Sequence, residues 1–151
     1  MVTLITPTGD RIEAFELCRR WMSLQTKGQF QWIVVDDGYT PLPDYLQAGT
    51  EYVRREPKEG ENHTLPLNLK LAVSLIKGNK ILIIEDDDYY GPDYIAIMSE
   101  WLDKFQLVGE CCARYYHVPT MRYRRIGYSQ HASLSQTGFR AELINIFHRL
   151  S

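Results

Sequence analysis

The four consecutive acids Glu85-Asp86-Asp87-Asp88 are the residues of this sequence best suited to chemistry. They follow Lys80-Ile81-Leu82-Ile83-Ile84, an apolar run that reads as a fully buried strand. Carboxylates stacked at a strand's end repel one another, which raises their pKa values and costs stability unless a cation or hydrogen-bond donors compensate. Hard oxygen ligands at this density suit Mg²⁺ or Mn²⁺, ions that complete their coordination with water and substrate phosphates. The run therefore predicts a metal–diphosphate site at the carboxyl end of a strand. A solvated strand end or a helix N-terminal cap is the alternative, although capping does not call for so many acids.

Two further turns carry polar groups after apolar runs. Val2 to Thr6 reads as a strand that stops at Pro7-Thr8-Gly9, and Gln31 to Val35 as one that ends in Asp36-Asp37-Gly38. A plain β-turn is the alternative for the latter. Asp10 stands where it can cap a helix striped by Ala14, Phe15, Cys18, Trp21 and Met22. Pro41 and Pro43 lead to a short strand around Tyr52-Val53, and Glu56 to Thr64 reads as a mobile loop. Leu65 to Ile76 is a predicted helix with Gly78 at its C-terminal cap. Pro92 fits the first turn of another, striped by Tyr94, Ile95, Met98, Leu102 and Phe105. Leu107 to Tyr116 is a predicted strand, 117–137 irregular or hairpin-like, and Gly138 to Leu150 a closing helix. Strands alternating with helices predict an α/β fold with a mainly parallel sheet. Ligands of such sheets bind outside the carboxyl ends of the strands, so one crevice can contain all the polar turns.

Composition sets the bounds. At 151 residues, 44% apolar and 24% charged, the chain is expected to form one globular domain, 1–151. The net charge of −2 hides an asymmetry, −7 over residues 1–110 and +5 over 111–151. A basic section facing an acidic metal loop would grip phosphates from the other side; a solvated basic surface is the alternative. The three cysteines, with Cys111 and Cys112 adjacent, form neither a disulfide framework nor a zinc spacing. They fit reduced residues in a buried strand and a cytoplasmic location. Met1 to Ile5 is too short for a signal peptide, and no run approaches the ~20 apolar residues of a membrane span.

His63, His117, His131 and His148 share no ligand spacing. His131, within Tyr128–Thr137, is the one that would close over a diphosphate as an extra metal ligand. Arg114-Tyr115-Tyr116-His117 and Arg122-Tyr123-Arg124-Arg125 interleave arginine with tyrosine. That pattern is either a sheet edge guarded by charge or a surface that stacks on sugars or bases and binds an anionic acceptor. Trp21 and Trp101, on helix stripes, are expected in the core; Trp32 is open.

Taken in order, the segments resemble the family 2 glycosyltransferases, which carry a GT-A fold. Val2 to Arg11 looks like that family's opening strand and turn, and Ile33 to Gly38 like its second strand with the base-recognising acidic turn. Asn68 to Ala72, Gly78 to Asp88 and Pro92-Asp93 look like its helix, strand and metal motif. Gly138-Phe139-Arg140-Ala141-Glu142-Leu143 is similar to a helix near its acceptor site. The resemblance implies a GT-A-like single domain with a nucleotide-sugar and metal part (1–110) and an acceptor-side part (111–151).

It implies nucleotide contacts from Thr6, Pro7, Arg11, Asp36, Asp37 and Asp86, with Asp37 accepting the imide N–H of the base. Asp87 would be the metal ligand and Asp88 a rival, with Mn²⁺ or Mg²⁺ as cofactor. The implied activity is metal-dependent, inverting transfer from a nucleoside diphosphate sugar to an acceptor hydroxyl. A base read by one carboxylate suggests UDP, although thymine presents the same edge. A glycan, lipid-linked sugar or protein is the default acceptor, and a modified base in DNA a less favoured one. Inverting members place a catalytic base in an acidic pair beyond the Phe-Arg helix. Here Glu110 and Glu142 are the carboxylates that follow Asp103, which leaves the base unassigned. A truncated nucleotide-binding module without turnover is the competing reading. A receiver domain, suggested by Ile81 to Asp87, lacks its later phosphoacceptor aspartate and lysine. A sugar nucleotidyltransferase lacks its glycine-rich basic loop.

Overall fold

The computed structural model describes residues 1–127 and 130–149. Its chain order is β1 (Val2–Thr8), α1 (Ile12–Ser23), β2 (Phe30–Asp36), α2 (Asp44–Gln47), β3 (Glu51–Arg54), α3 (Leu65–Val73), β4 (Lys80–Ile83) and α4 (Tyr94–Lys104). There follow β5 (Leu107–Gly109), β6 (Cys112–His117), β7 (Arg122–Gly127) and β8 (Thr137–Arg140). Short 3₁₀ segments cover Val118–Thr120, Leu134–Gln136 and Ala141–Arg149. The central sheet runs β3-β2-β1-β4-β8-β5, parallel from β3 to β4 and antiparallel where β8 is wedged between β4 and β5. A separate ribbon pairs β6 with β7. The fold is thus mixed α/β with a mainly parallel sheet flanked by helices, as expected. Among the described residues no helix is long and apolar enough to cross a membrane.

Each central strand is apolar along its length because both faces are covered. Leu4, Val34, Leu82 and Ile84 point to one side, where Phe15, Cys18 and Met22 of α1 and Ile95, Met98 and Leu102 of α4 meet them. Ile5, Ile33, Val35, Ile81 and Ile83 point to the other, onto Leu69 and Ala72 of α3 and onto Phe139. The period-2 alternation divides the sheet's side chains between two cores. Trp32 belongs to the first, tilted against Phe15 with its Nε1–H donated to Thr6 Oγ1 at 2.9 Å.

Several expectations need correction. Asp10 does not cap α1: it adopts φ +51° and its carboxylate accepts N–H groups from another loop. The predicted helix from Leu65 ends at Val73, and Gly78 is no cap. Its N–H donates to Thr3 Oγ1 at 2.9 Å, and a Cβ there would stand 2.6 Å from that oxygen. Pro92 lies before α4, whose N-cap position is Asp93. The strand expected over Leu107–Tyr116 is two, in different sheets. Cys111 is exposed and Cys112 only half-buried, while Trp101 is 40% exposed and Trp21 half-buried, edge-on to Tyr89.

The helix expected from Gly138 is β8 followed by 3₁₀ turns; Leu150 lies outside the described residues. The reason is local packing. Gly138 faces Leu82, Leu102 and Met98 so closely that a Cβ would meet Leu82 at 2.5 Å, and Phe139 fills the second core. Both gains require an extended backbone paired on each side.

Candidate functional site

The parallel register brings the ends of β1, β2 and β4 to one edge, with Thr8 beside Asp36 and Ile5 beside Ile83. The turn after β1 and the turn after β2 then interlock. Asp10 accepts the N–H groups of Tyr39 at 2.8 Å and Thr40 at 2.9 Å, and Asp37 N–H donates to the Thr8 carbonyl at 3.0 Å. Glycine is required on both sides of this junction. A Cβ on Gly9 would lie 2.5 Å from Asp37 Oδ1, and one on Gly38 would lie 2.3 Å from Asp10 N.

The two aspartates of the second turn do different things. Asp36 is 1% exposed and its carboxylate accepts N–H from Gly38 at 3.0 Å and Leu42 at 2.9 Å, and O–H from Tyr52 at 2.6 Å. Arg54 Nη1 pairs with it at 3.3 Å. These partners fill its acceptor capacity, so it is a loop anchor below the site rather than a group facing a ligand. Thr6 is likewise fully buried, its hydroxyl engaged by Trp32. Asp37 instead borders a cavity of about 370 Å³ together with Pro7, Thr8, Gly9, Arg11, Asn68, Glu85 and Asp87. Burial raises the pKa of Asp37, but hydrogen bonds from Thr64, Arg55 and Asn68 outweigh it and hold the carboxyl below its usual range.

Arg55 ties this wall together. Its guanidinium reaches Asp37 at 2.7 Å, Glu61 at 2.6 Å and Asn68 Oδ1 at 2.6 Å, fixing the polar loop before α3 to the acidic turn.

The acidic run forms the opposite wall. Tyr90, buried at 4% exposure, accepts the Glu85 N–H on its hydroxyl at 2.8 Å and so sets where the loop leaves β4. Asp86 is buried beneath the loop, where Thr8 Oγ1 donates to its Oδ2 at 2.6 Å. Arg11 spans Asp86 Oδ1 at 2.8 Å and Asp87 Oδ2 at 3.1 Å. Burial raises the pKa of Asp86, and burial followed by the charges of Asp88 and Asp87 raises that of Glu85. The electrostatic cost expected from stacked carboxylates is therefore present.

A divalent cation fits this chemistry. Asp86 Oδ1 is buried with no hydrogen-bond donor, since Arg11 meets it as an ion pair without hydrogen-bond alignment. Asp87 faces the cavity beside it. Among the described residues no three carboxylate, His or Cys side chains converge. An ion here would take its other ligands from a diphosphate and water, as hard divalent cations do.

Asp88 turns the other way, into a second cavity of about 360 Å³ that it shares with Tyr94, Glu110, Arg114 and Arg125. Glu110 is thus brought beside the acidic loop. Glu142 is not: it follows Arg140, the partner of Lys80 at the amino end of β4, away from both cavities. His131 borders neither cavity and stands with Leu107, Gly109 and Cys111 in another recess.

Of the residues lining or bracing this cavity, Arg55 was not singled out by the sequence, because its meeting with Asp37, Glu61 and Asn68 depends on the path of the intervening loop. Thr8, Asn68 and Glu85 were named only as parts of their segments, without individual roles.

The architecture superposes on solved structures that include a mannosyltransferase. Residues 1–349 of TarS from S. aureus superpose with TM-score 0.67 at 16% identity, over 96% of this chain and 48% of that one. The same TarS fragment in complex with UDP-GlcNAc gives 0.66 at 15% identity, over 96% and 46%. The mannosyltransferase PcManGT from Pyrobaculum calidifontis, in complex with GDP-Man and Mn²⁺, gives 0.67 at 16% identity, over 96% and 46%. The chain spans about half the length of these solved chains. No protein-family model matches the sequence, and no curated protein does.

Proposed function

We propose that the chain binds a nucleoside diphosphate sugar, UDP-linked, and transfers the sugar to an acceptor hydroxyl with inversion. One observation carries the reading: Asp37 and Asp87 stand on opposite walls of a single cavity at the strand ends, with Arg11 at the second wall. Asp37 accepts the imide N–H of the base, and Pro7 and Thr8 line the nucleoside. Asp87 would hold the divalent cation, Mn²⁺ or Mg²⁺, with Asp86 Oδ1, which Arg11 meets as an ion pair but which accepts no hydrogen bond, as a second oxygen and Asp88 as the rival ligand. The cation, when bound, supplies Lewis-acid stabilisation of the departing diphosphate. Arg11 adds a guanidinium that diphosphate oxygens can accept from.

In the transfer, the acceptor oxygen bonds to the anomeric carbon while the bond from that carbon to the diphosphate oxygen breaks, the electron pair leaving with the diphosphate. The hydroxyl proton passes to a base within hydrogen-bond reach. Glu110 is the carboxylate best placed for this, since its cavity adjoins the acidic loop on the side away from the nucleotide. A binding module without turnover is the second reading. Donor hydrolysis or transfer by the purified chain would reject it.

The decisive experiment is calorimetric titration of UDP with and without Mn²⁺, repeated on Asp87→Asn. Metal-dependent binding, weakened about tenfold or more in the variant, is expected. Absence of binding by UDP and by other nucleoside diphosphates would sink the transferase reading.

A further inference from the structure

The ribbon of β6 and β7 stands apart from the central sheet and keeps most of its side chains in solvent. Its register sets Arg114 opposite Arg125, Tyr115 opposite Arg124, Tyr116 opposite Tyr123 and His117 opposite Arg122. Like charges directly opposite one another destabilise a strand pair. Among the described residues none of these arginines enters an ion pair. Guarding an edge against aggregation requires charge but no aromatic rings. Here Tyr116 and Tyr123, opposite each other on the same face as Arg114 and Arg125, are 56% and 70% exposed, so their π-faces lie open beside unpaired cations; Tyr115, 49% exposed, lies beside Arg124 on the other face. The same ribbon reaches the second cavity, where Arg114 and Arg125 line it with Glu110 and Asp88.

We infer that the ribbon docks a single-stranded nucleic acid and leads an acceptor hydroxyl carried by that strand into the second cavity. Arginines at this spacing neutralise backbone phosphates, and exposed tyrosines stack on unpaired bases; together these are how single strands are held without sequence preference. A phosphodiester polymer without bases offers the arginines the same charge but gives the tyrosines nothing to stack on. A duplex hides its base faces. The acceptor role rests on the donor-site reading above, whereas the docking itself does not.

The test is fluorescence anisotropy of a labelled single-stranded oligonucleotide with the full chain over a salt series. It is repeated on Arg114→Ala/Arg125→Ala and Tyr116→Ala/Tyr123→Ala, pairs that share one face of the ribbon, with UDP titrated into each preparation. Wild type is expected to bind at low salt and to lose affinity steeply as salt is added. The arginine pair should lower the salt slope by about one for each residue removed. The tyrosine pair should weaken binding about tenfold or more with the slope unchanged. UDP binding should be retained in both, which establishes that they fold. No binding at low salt, affinities equal to wild type in both variants, preference for duplex, or displacement by inorganic polyphosphate as readily as by unlabelled oligonucleotide would each overturn the inference. Oligonucleotide binding with UDP binding absent would uphold the surface and sink the donor-site reading instead.

Discussion

Asp36 and Asp37 are identical in type, adjacent and both partly enclosed, yet only one faces the cavity. The difference comes from strand parity. Asp36, the last residue of β2, turns inward to Tyr52, Leu42 and Gly38, while Asp37 begins the turn. Asp36→Asn removes the charge that Arg54 faces and places an amide N–H₂ among donors. We expect a loss of about 3 kcal/mol in stability, read from urea denaturation. The carboxylates beyond α4 divide in the same way. Glu110→Gln should lower turnover by about 10²–10⁴-fold, and Glu142→Gln should leave it unchanged, in a donor-consumption assay. An equal effect of the two would remove Glu110 from the role of base. The acidic run and Asp37 were legible in the sequence because charge next to a buried strand is conspicuous. The anchoring role of Asp36 was not, because it depends on a tyrosine arriving from β3.

Among elements, the alternation of apolar residues gave away β1, β2 and β4, since a strand buried on both faces has little else to be. β8 escaped because it is short and its pairing partners are distant in the chain. Its Gly-Phe-Arg start is as compatible with a helix until Leu82 and Leu102 are seen to leave no space for a side chain at Gly138. The turns show how elements share one electrostatic balance. Backbone N–H groups of Thr40 and Tyr39 lower the pKa of Asp10, and that of Asp37 is also lowered. Their contribution to stability is present above the ordinary aspartate value of 3.8 and is lost as pH falls through the depressed folded values. Glu85 and Asp86 act with opposite sign. Their folded pKa values are raised, so their contribution is present below the ordinary values and lost as pH rises through the raised ones. Titrated downward from neutrality without metal, stability should first rise and then fall. Chemical denaturation across pH checks this, and a curve that falls monotonically would contradict it.

At the scale of the whole molecule, the division expected at residue 110 does not coincide with a division of the core. β8 belongs to the later segment yet completes the sheet between β4 and β5, and Phe139 fills the core beneath it. A chain cut after Gly109 would expose the edge of β4 and the apolar faces of Leu82 and Ile81. We expect it to lose cooperative thermal unfolding by circular dichroism and to sediment as aggregates. A soluble, cooperatively folded fragment would show the earlier residues to be self-sufficient. Most of the positive charge of residues 111–151 sits elsewhere, on the β6–β7 ribbon, which carries four of its six arginines.

Arg11 already lies across Asp86 and Asp87, an internal cation in the place where an external one is expected. The loop therefore carries its own counter-charge within the fold, and an incoming ion would have to displace a guanidinium rather than fill an empty place.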